Sequence, residues 1–431
     1  MTRLNPIAAL AVAAVLSLAG CGGGGDDDAE QSGGPVEITM WHGQDDIAGK
    51  VLGQLADDFN RTHSDIKVNA TTGGVVADQM RQKVTTALAS GSYPDIAYIF
   101  GSDLANLARS DKVLDLTDDV KKPDFGWDDY YAPAKAATTV NGRVRALPAL
   151  IDDLAVVYNQ KAFKAAGVAE PPAEGWTWEQ FAAASKQLTD RDKGTFGTAW
   201  PAVGDEDTVW RIWPAVWQGG GDIITEDGKV GFGGRPGEQA FGVVDRLAQD
   251  GSVYVDTKPD SDQTYQLFNN GKIGMVVTGP WQLPDFIGAK VDFGVAPLPT
   301  FGGEPLTISG PDTWTLFDNG DKRSKAAVEF IQWLNSPEQD ATWVTKAGSL
   351  PLRKGTAEQA VWKDYQESIP GLSVFLAGLD GARTKPTNPA YPQVSEAMGQ
   401  SLVAVLLKRS SPQDALQQAV EASEGVLAGG G

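Results

Sequence analysis

The sequence predicts an α/β protein of two domains, each a mostly parallel sheet flanked by helices, and three observations carry that expectation. From Pro35 onward short apolar strands alternate with amphipathic helices, the pattern of βαβ units. At 431 residues the chain exceeds what one hydrophobic core usually organises. Hydrophobic residues make up 42% and aromatics 9%, against 21% charged, which is material enough for two cores.

Taken in order, Val36 to Trp41 predicts the first strand and Ile47 to Arg61 a helix, with Val51, Leu55 and Phe59 at helical spacing. Ile66 to Ala70 is a second strand, Gln79 to Ala89 a second helix, and Pro94 to Phe100 a buried third strand. Ligands sit beyond the carboxyl ends of such strands, which marks Trp41-His42-Gly43, Thr71-Thr72 and Phe100-Gly101-Ser102-Asp103 as a binding edge. After Leu147-Pro148 the strand Leu154 to Asn159 opens a helix-rich, tryptophan-rich stretch, so the chain is expected to cross into a second domain near Asp152. Lys272 to Thr278 and Asp292 to Ala296 read as strands there, and Pro297-Leu298-Pro299 as a rigid exit toward a strand-like return from Thr307 to Phe317. Helices follow over Arg323–Asn335 and Pro337–Lys346, with a further crossing near Pro351 and helical structure to about Leu427. The expected domains are therefore 35–151 with 307–350, and 152–306 with 351–431.

Charge and cysteine usage exclude several functions. With 56 acidic against 36 basic residues and a net charge of −20, the chain repels nucleic acid and anionic membrane surfaces. Its single cysteine, Cys21, permits neither an internal disulfide framework nor a thiolate metal cluster. That cysteine follows Arg3 and an apolar run from Ile7 to Leu18 that is too short to span a membrane. Leu18-Ala19-Gly20-Cys21 resembles the bacterial lipobox, which implies a signal over residues 1–21, acylation of Cys21, and a Gly/Asp tether over 22–34. The competing explanation is an ordinary cleaved signal with an incidental cysteine.

The sequence carries no GxSxG elbow, HExxH helix or GxxxxGK[ST] loop. "GFGGRPG" at 231–237 fails the dinucleotide fingerprint because Pro236 stands where the third glycine is required. His42 and His63 are too few for a zinc site, so no metal and no cofactor are expected. Carboxylates are abundant, and counting alone does not exclude a two-carboxylate glycosidase.

"VEITMWHG", "YPDIAYIF", "ALPALIDDLAVVYNQKAF", "GKIGMVVTGPWQL" and "FGVAPLP", in this order and spacing, resemble the family 1 extracellular solute-binding proteins. These are the sugar receptors of ABC importers, with the maltodextrin-binding proteins as their best-known type. The resemblance implies a two-lobed periplasmic-binding-protein-like fold (type II), ligand enclosed between the lobes by hinge closure, and no enzymatic activity. It also implies a carbohydrate ligand, a separate ABC permease and ATPase, and a monomer held by its lipid on the outer face of the cytoplasmic membrane. Peptide, polyamine or chelate binding, or a secreted carbohydrate-active enzyme, are the alternatives.

A sugar needs aromatic plates for its C–H face and fixed polar groups for its hydroxyls. Trp281 follows Gly279-Pro280 at a strand end, and the resemblance places a sugar-stacking tryptophan there. Trp210, Trp213 and Trp217 share one helical face if the helix survives Pro214; a core stripe has the same spacing, and the resemblance favours Trp210. Asp152 and Asp153 precede the crossing strand, where the resemblance implies an acidic sugar contact, and as neighbours in extended chain only one faces the cleft. Ser102 and Asp103 either bind hydroxyls or cap the helix Leu104–Arg109. Gly43, Gln44, Asp45 and Asp46 match a segment that supplies polar contacts in maltodextrin receptors, although the family's lysine-type contact is missing. Gly310 and Asp312 lie in a turn suited to close approach, and Arg383 and Tyr391 lie where the resemblance has the C-terminal lobe close the cleft; surface positions are the alternative for both.

Overall fold

The computed structural model describes residues 34–44, 46–258, 261–379 and 381–429. Cys21, tether residues 22–33 and Asp45 lie outside them. The strands in chain order are β1 Val36–Trp41, β2 Ile66–Thr71, β3 Ile96–Phe100, β4 Thr139–Val140, β5 Arg143–Val144, β6 Leu147–Leu150 and β7 Ala155–Asn159. They continue as β8 Phe196–Pro201, β9 Val253–Asp256, β10 Ile273–Thr278, β11 Phe293–Ala296, β12 Ile308–Ser309, β13 Asp312–Leu316 and β14 Arg383–Thr384. Two five-stranded sheets result, ordered β2-β1-β3-β13-β6 and β11-β7-β10-β8-β9.

Both sheets are mixed, and the reversal has one cause. β1 pairs in parallel with β2 and β3, while β13 runs antiparallel to both β3 and β6. In the second sheet β10 pairs in parallel with β8, and β8 with β9, while β7 runs antiparallel to β10 and β11. The reversed strand in each sheet is the one that enters after a crossing, β7 from β6 and β13 from β11. A chain that leaves one sheet at the carboxyl ends of its strands enters the next sheet at the same edge, so it must run away from that edge.

Helices cover the sheets as periodicity predicts. Helix Asp46–Thr62 buries Val51, Leu52, Leu55, Ala56 and Phe59 on one stripe against Ile38, Met40 and Val68 of the first sheet. Each of the larger side chains, Val51, Leu52, Leu55 and Phe59, contributes roughly 1.5–3 kcal/mol on removal from water, before its entropy cost. Helix Trp178–Leu188 starts with a capping box between Thr177 and Gln180 and packs so closely on the second sheet that a Cβ at Gly197 would lie 1.9 Å from the Ser185 carbonyl oxygen. The second core is built on aromatics: Trp176, Trp178, Trp200, Trp213 and Trp217 are all buried, so most tryptophans of this stretch serve packing.

Three crossing segments lie side by side. The Ile151 carbonyl accepts from Leu350 N–H at 3.0 Å, and Ser309 Oγ donates to the Asp152 carbonyl at 2.6 Å. Thr307 Oγ1 donates to the Leu154 carbonyl at 2.6 Å, and β12 pairs in parallel with β14. The return expected as one strand from Thr307 to Phe317 is thus two strands, interrupted at Gly310-Pro311, with β12 in the connecting ribbon and β13 in the first sheet. No helix among the described residues is long and apolar enough to cross a membrane.

Candidate functional site

The carboxyl ends of the first sheet converge on the ribbon and bring four polar groups together. Gln44 follows β1, Asp103 follows β3, Asp152 follows β6, and Asp312 opens β13. Tyr98, on β3, donates its hydroxyl to Asp312 Oδ2 at 2.5 Å, and the Gln44 side chain reaches the same hydroxyl. Gly310 N–H donates to Asp152 Oδ1 at 3.3 Å. Gly43 takes a positive φ of 62° and lets the loop after β1 press on helix Ala77–Ser90, where a Cβ would lie 2.8 Å from the Ala77 nitrogen.

The second sheet supplies the facing wall. Helix Glu206–Trp210 ends in Trp210, whose indole stacks on Trp281 with ring centroids 5.5 Å apart and planes within 8°. Trp210 also touches the opposite wall, since a Cβ at Gly310 would lie 2.6 Å from its Cζ2. Lys385 completes the site: its Nζ sits 5.1 Å from the Trp210 ring centroid and 3.3 Å from Glu206 Oε1. Glu206 is itself fixed, accepting from Tyr391 Oη at 2.8 Å on each oxygen and from Ser395 Oγ at 2.6 Å.

Burial and crowding of like charges set the electrostatics. Burial pushes Asp103 up to about 6, with Arg81 and Lys385 opposing. Burial likewise raises Asp312 to about 7, against the Tyr98 hydrogen bond and Lys385. Asp152 is driven well above the carboxylate range by burial and then by its neighbour Asp312. For Lys385 burial acts downward, but Glu206, Asp312 and Asp152 together outweigh it and hold the ammonium above the usual lysine range. Among the described residues no group of three or more His, Cys, Asp or Glu side chains is arranged to hold a metal ion.

The sequence-predicted residues divide into those at this site and those elsewhere. Gln44, Asp103, Asp152, Gly310, Asp312, Trp210 and Trp281 come together. Trp213 and Trp217 do not join Trp210 on one helical face: Trp210 ends one helix and Trp213 begins the next, with Pro214 in its first turn. Trp213 is fully buried with its indole N–H on Tyr391 Oη at 3.2 Å, and Trp217 donates to Asp222 at 3.1 Å. Tyr391 is buried behind Glu206 rather than on the surface. Arg383 pairs with Asp222 at 2.8 Å and covers the Trp217 ring, away from the acidic group. Asp152 and Asp153 point to opposite sides as extended neighbours must, Asp153 turning to Gly378 and Thr307. Ser102 is buried, and Asp103 makes no cap hydrogen bond to the following helix but pairs with Arg81 at 3.2 Å.

Sequence reasoning missed Tyr98, Glu206 and Lys385. Tyr98 looks like one more apolar residue of a buried strand, and Glu206 like a first-turn acid of a helix. Lys385 lies in "RTKPTNPAY", a segment in which the resemblance marks only Arg383 and Tyr391.

Comparison with known proteins bears on the family and the fold. The family model described as bacterial extracellular solute-binding protein matches residues 45–341. The sn-glycerol-3-phosphate-binding periplasmic protein UgpB of Pectobacterium atrosepticum is 24% identical over 91% of both chains. Among solved structures, the cyclic alpha-maltosyl-1,6-maltose binding protein of Arthrobacter globiformis is 26% identical with a TM-score of 0.78, over 92% of this chain and all of the other. The GacH receptor of Streptomyces glaucescens, solved unliganded and with acarbose, shares the fold at a TM-score of 0.80 and 22% identity, over 91% of this chain and 99% of its own. The family match spans more than half of the sequence and the two-sheet frame recurs in these structures, and on those grounds the chain belongs to the bacterial extracellular solute-binding protein family.

Proposed function

We propose that this protein captures an uncharged mono- or oligosaccharide between its two sheets and delivers it intact to the permease of an ABC importer. The observation that carries the proposal is the stacked Trp210–Trp281 pair set against buried Asp152 and Asp312 and half-buried Asp103. Indole faces suit the C–H face of a sugar, and carboxylates accept from its hydroxyls. The same carboxylates argue against a phosphate-bearing solute of the kind named for the UgpB relative: a phosphate would meet three acids and Glu206 with Lys385 as the buried cation. The Arthrobacter structure, named for binding a cyclic maltose-based sugar, supports the carbohydrate class.

In this proposal the lobes are 35–151 with 307–350 and 152–306 with 351–431, and the ligand contacts both, so it favours the closed arrangement by its differential affinity. The protein works as a binding monomer without chemistry, anchored by acylated Cys21 on the outer face of the cytoplasmic membrane. The test is a titration of intrinsic tryptophan fluorescence and melting temperature of residues 22–431 with maltose, maltotriose, cyclic glucans and sn-glycerol-3-phosphate. A saturable response to a sugar, recovered intact by chromatography, supports the proposal. A response to the phosphate ester alone, or turnover of the sugar, overturns it.

A further inference from the structure

We propose that Lys385 is the positioning residue that ties the acidic walls of the two sheets together across the cleft. The tie rests on the two-sheet frame and not on which solute is bound. Lys385 directly follows β14, which pairs with β12 of the second crossing. A residue beside the crossings moves least when lobes rotate about them, so its ammonium can serve both walls throughout closure.

On one side Lys385 meets Glu206, at 3.3 Å, whose carboxylate is locked by Tyr391 and Ser395. On the other side the Trp210 ring under its ammonium lies against Gly310, whose N–H donates to Asp152, and from there its charge acts on Asp312, Asp152 and Asp103. Asp312 is held by Tyr98, and Asp103 by Arg81 at 3.2 Å. Four acidic side chains thus share two cations. Arg81 is 44% exposed and screened by water, whereas the Lys385 side chain is only 9% exposed and acts through low dielectric. Without it the two walls would face each other as uncompensated buried acids, an arrangement that folding and closure both oppose. Its ammonium also sits over the Trp210 ring, so the residue that balances the charge helps to hold the aromatic plate in place.

The experiment is a double-mutant cycle read by thermal unfolding, without ligand, at pH 8 and pH 5. Lys385→Met keeps the stem and removes the charge, and it is expected to lower Tm by roughly 3–6 °C at pH 8. At pH 5, below the values to which burial raises Asp103 and Asp312, those acids carry protons and the loss should shrink to the part that the Glu206 pair supplies. Lys385→Arg should recover most of the pH 8 loss, and Asp312→Asn placed in the Lys385→Met background should recover a large part of it. A loss equal at both pH values confines the lysine to packing or to Glu206 and overturns the proposal, as does a loss that Asp312→Asn leaves untouched. If the Met variant fails to fold at pH 8, recovery of its unfolding transition at pH 5 supports the tie and failure to recover refutes it.

Discussion

Gly310 offers the sharpest test of the interlobe geometry, because one methyl group there tests whether Trp210 lies against the crossing ribbon. A Cβ at this position would stand 2.6 Å from Trp210 Cζ2 and 3.1 Å from its Cη2, and 3.3 Å from Asp152 Oδ1. Carbon atoms settle at about 3.5–4.0 Å, so the indole must withdraw by close to an ångström. Two neighbours resist that shift: Trp281 stacks on it at 5.5 Å, and Lys385 Nζ sits 5.1 Å from its centroid. Overpacking of this kind costs about 1–3 kcal/mol. If the cost falls on the closed arrangement alone, Gly310→Ala weakens ligand binding by roughly fivefold to 150-fold. Isothermal titration with whichever of maltose, maltotriose or cyclic glucan the wild type binds most tightly reads that change, with ligand-free thermal unfolding as the control. A dissociation constant within twofold of wild type would refute the reasoning, since Trp210 would then not touch the ribbon in the bound state.

Trp281→Ala removes one plate and the support of the other, and should weaken the same sugar at least about tenfold while leaving the fold intact; an unchanged fluorescence titration would place Trp281 outside the site. Asp312 keeps its proton up to about pH 7 when folded but loses it near 4 when unfolded, so its contribution to stability falls as pH rises through that window. Asp312→Asn, which still offers Tyr98 an oxygen, should therefore raise Tm by roughly 2–5 °C at pH 8 and hardly at pH 4, and equal shifts at both would contradict the assignment. Gly197→Ala drives a methyl into the Ser185 backbone and should cost more than about 3 kcal/mol by urea unfolding; a loss under 1 kcal/mol would mean that helix and sheet are not in contact there. Cys21→Ser should move the protein from the membrane fraction to the soluble one, and continued membrane association would exclude the lipid anchor.

Much of the frame is visible in single elements of the sequence, and the site only in part, for a physical reason that separates the two. "PDIAYIF" and "KIGMVVT" are apolar runs that two-sided burial demands, and both are central strands. Such runs do not record strand direction, so the sequence supports two α/β sheets without revealing that β7 and β13 run reversed. Site residues obey no periodicity, because they lie where elements stop. Trp281 and Asp152 were legible because Gly-Pro and a crossing strand mark their positions, whereas Lys385 follows a two-residue strand that leaves no pattern. The tryptophan trio shows the reverse error: spacing at three and four residues suggested one face, but the first turn containing Pro214 starts a new helix and separates Trp210 from two core residues.

That break bears on how the cleft is built. Had one helix run from Glu206 to Gln218, Trp210 would have pointed with Trp213 into the second core, where Trp213 is fully buried. Ending the helix at Trp210 frees its indole to turn toward Trp281 and Gly310 while Trp213 stays inside and braces Tyr391, which in turn holds Glu206 for Lys385. The wall facing the acids is therefore an extension of the core, not a loop laid on its surface. Pre-organisation of this kind reduces the entropy lost when a solute binds, because the plate and the cation are already fixed. It follows that core substitutions such as Trp213→Phe, which deletes the N–H that Tyr391 accepts, should loosen binding without touching the ligand. A Trp213→Phe variant with wild-type affinity and a lowered Tm would separate the core from the cleft and remove this coupling.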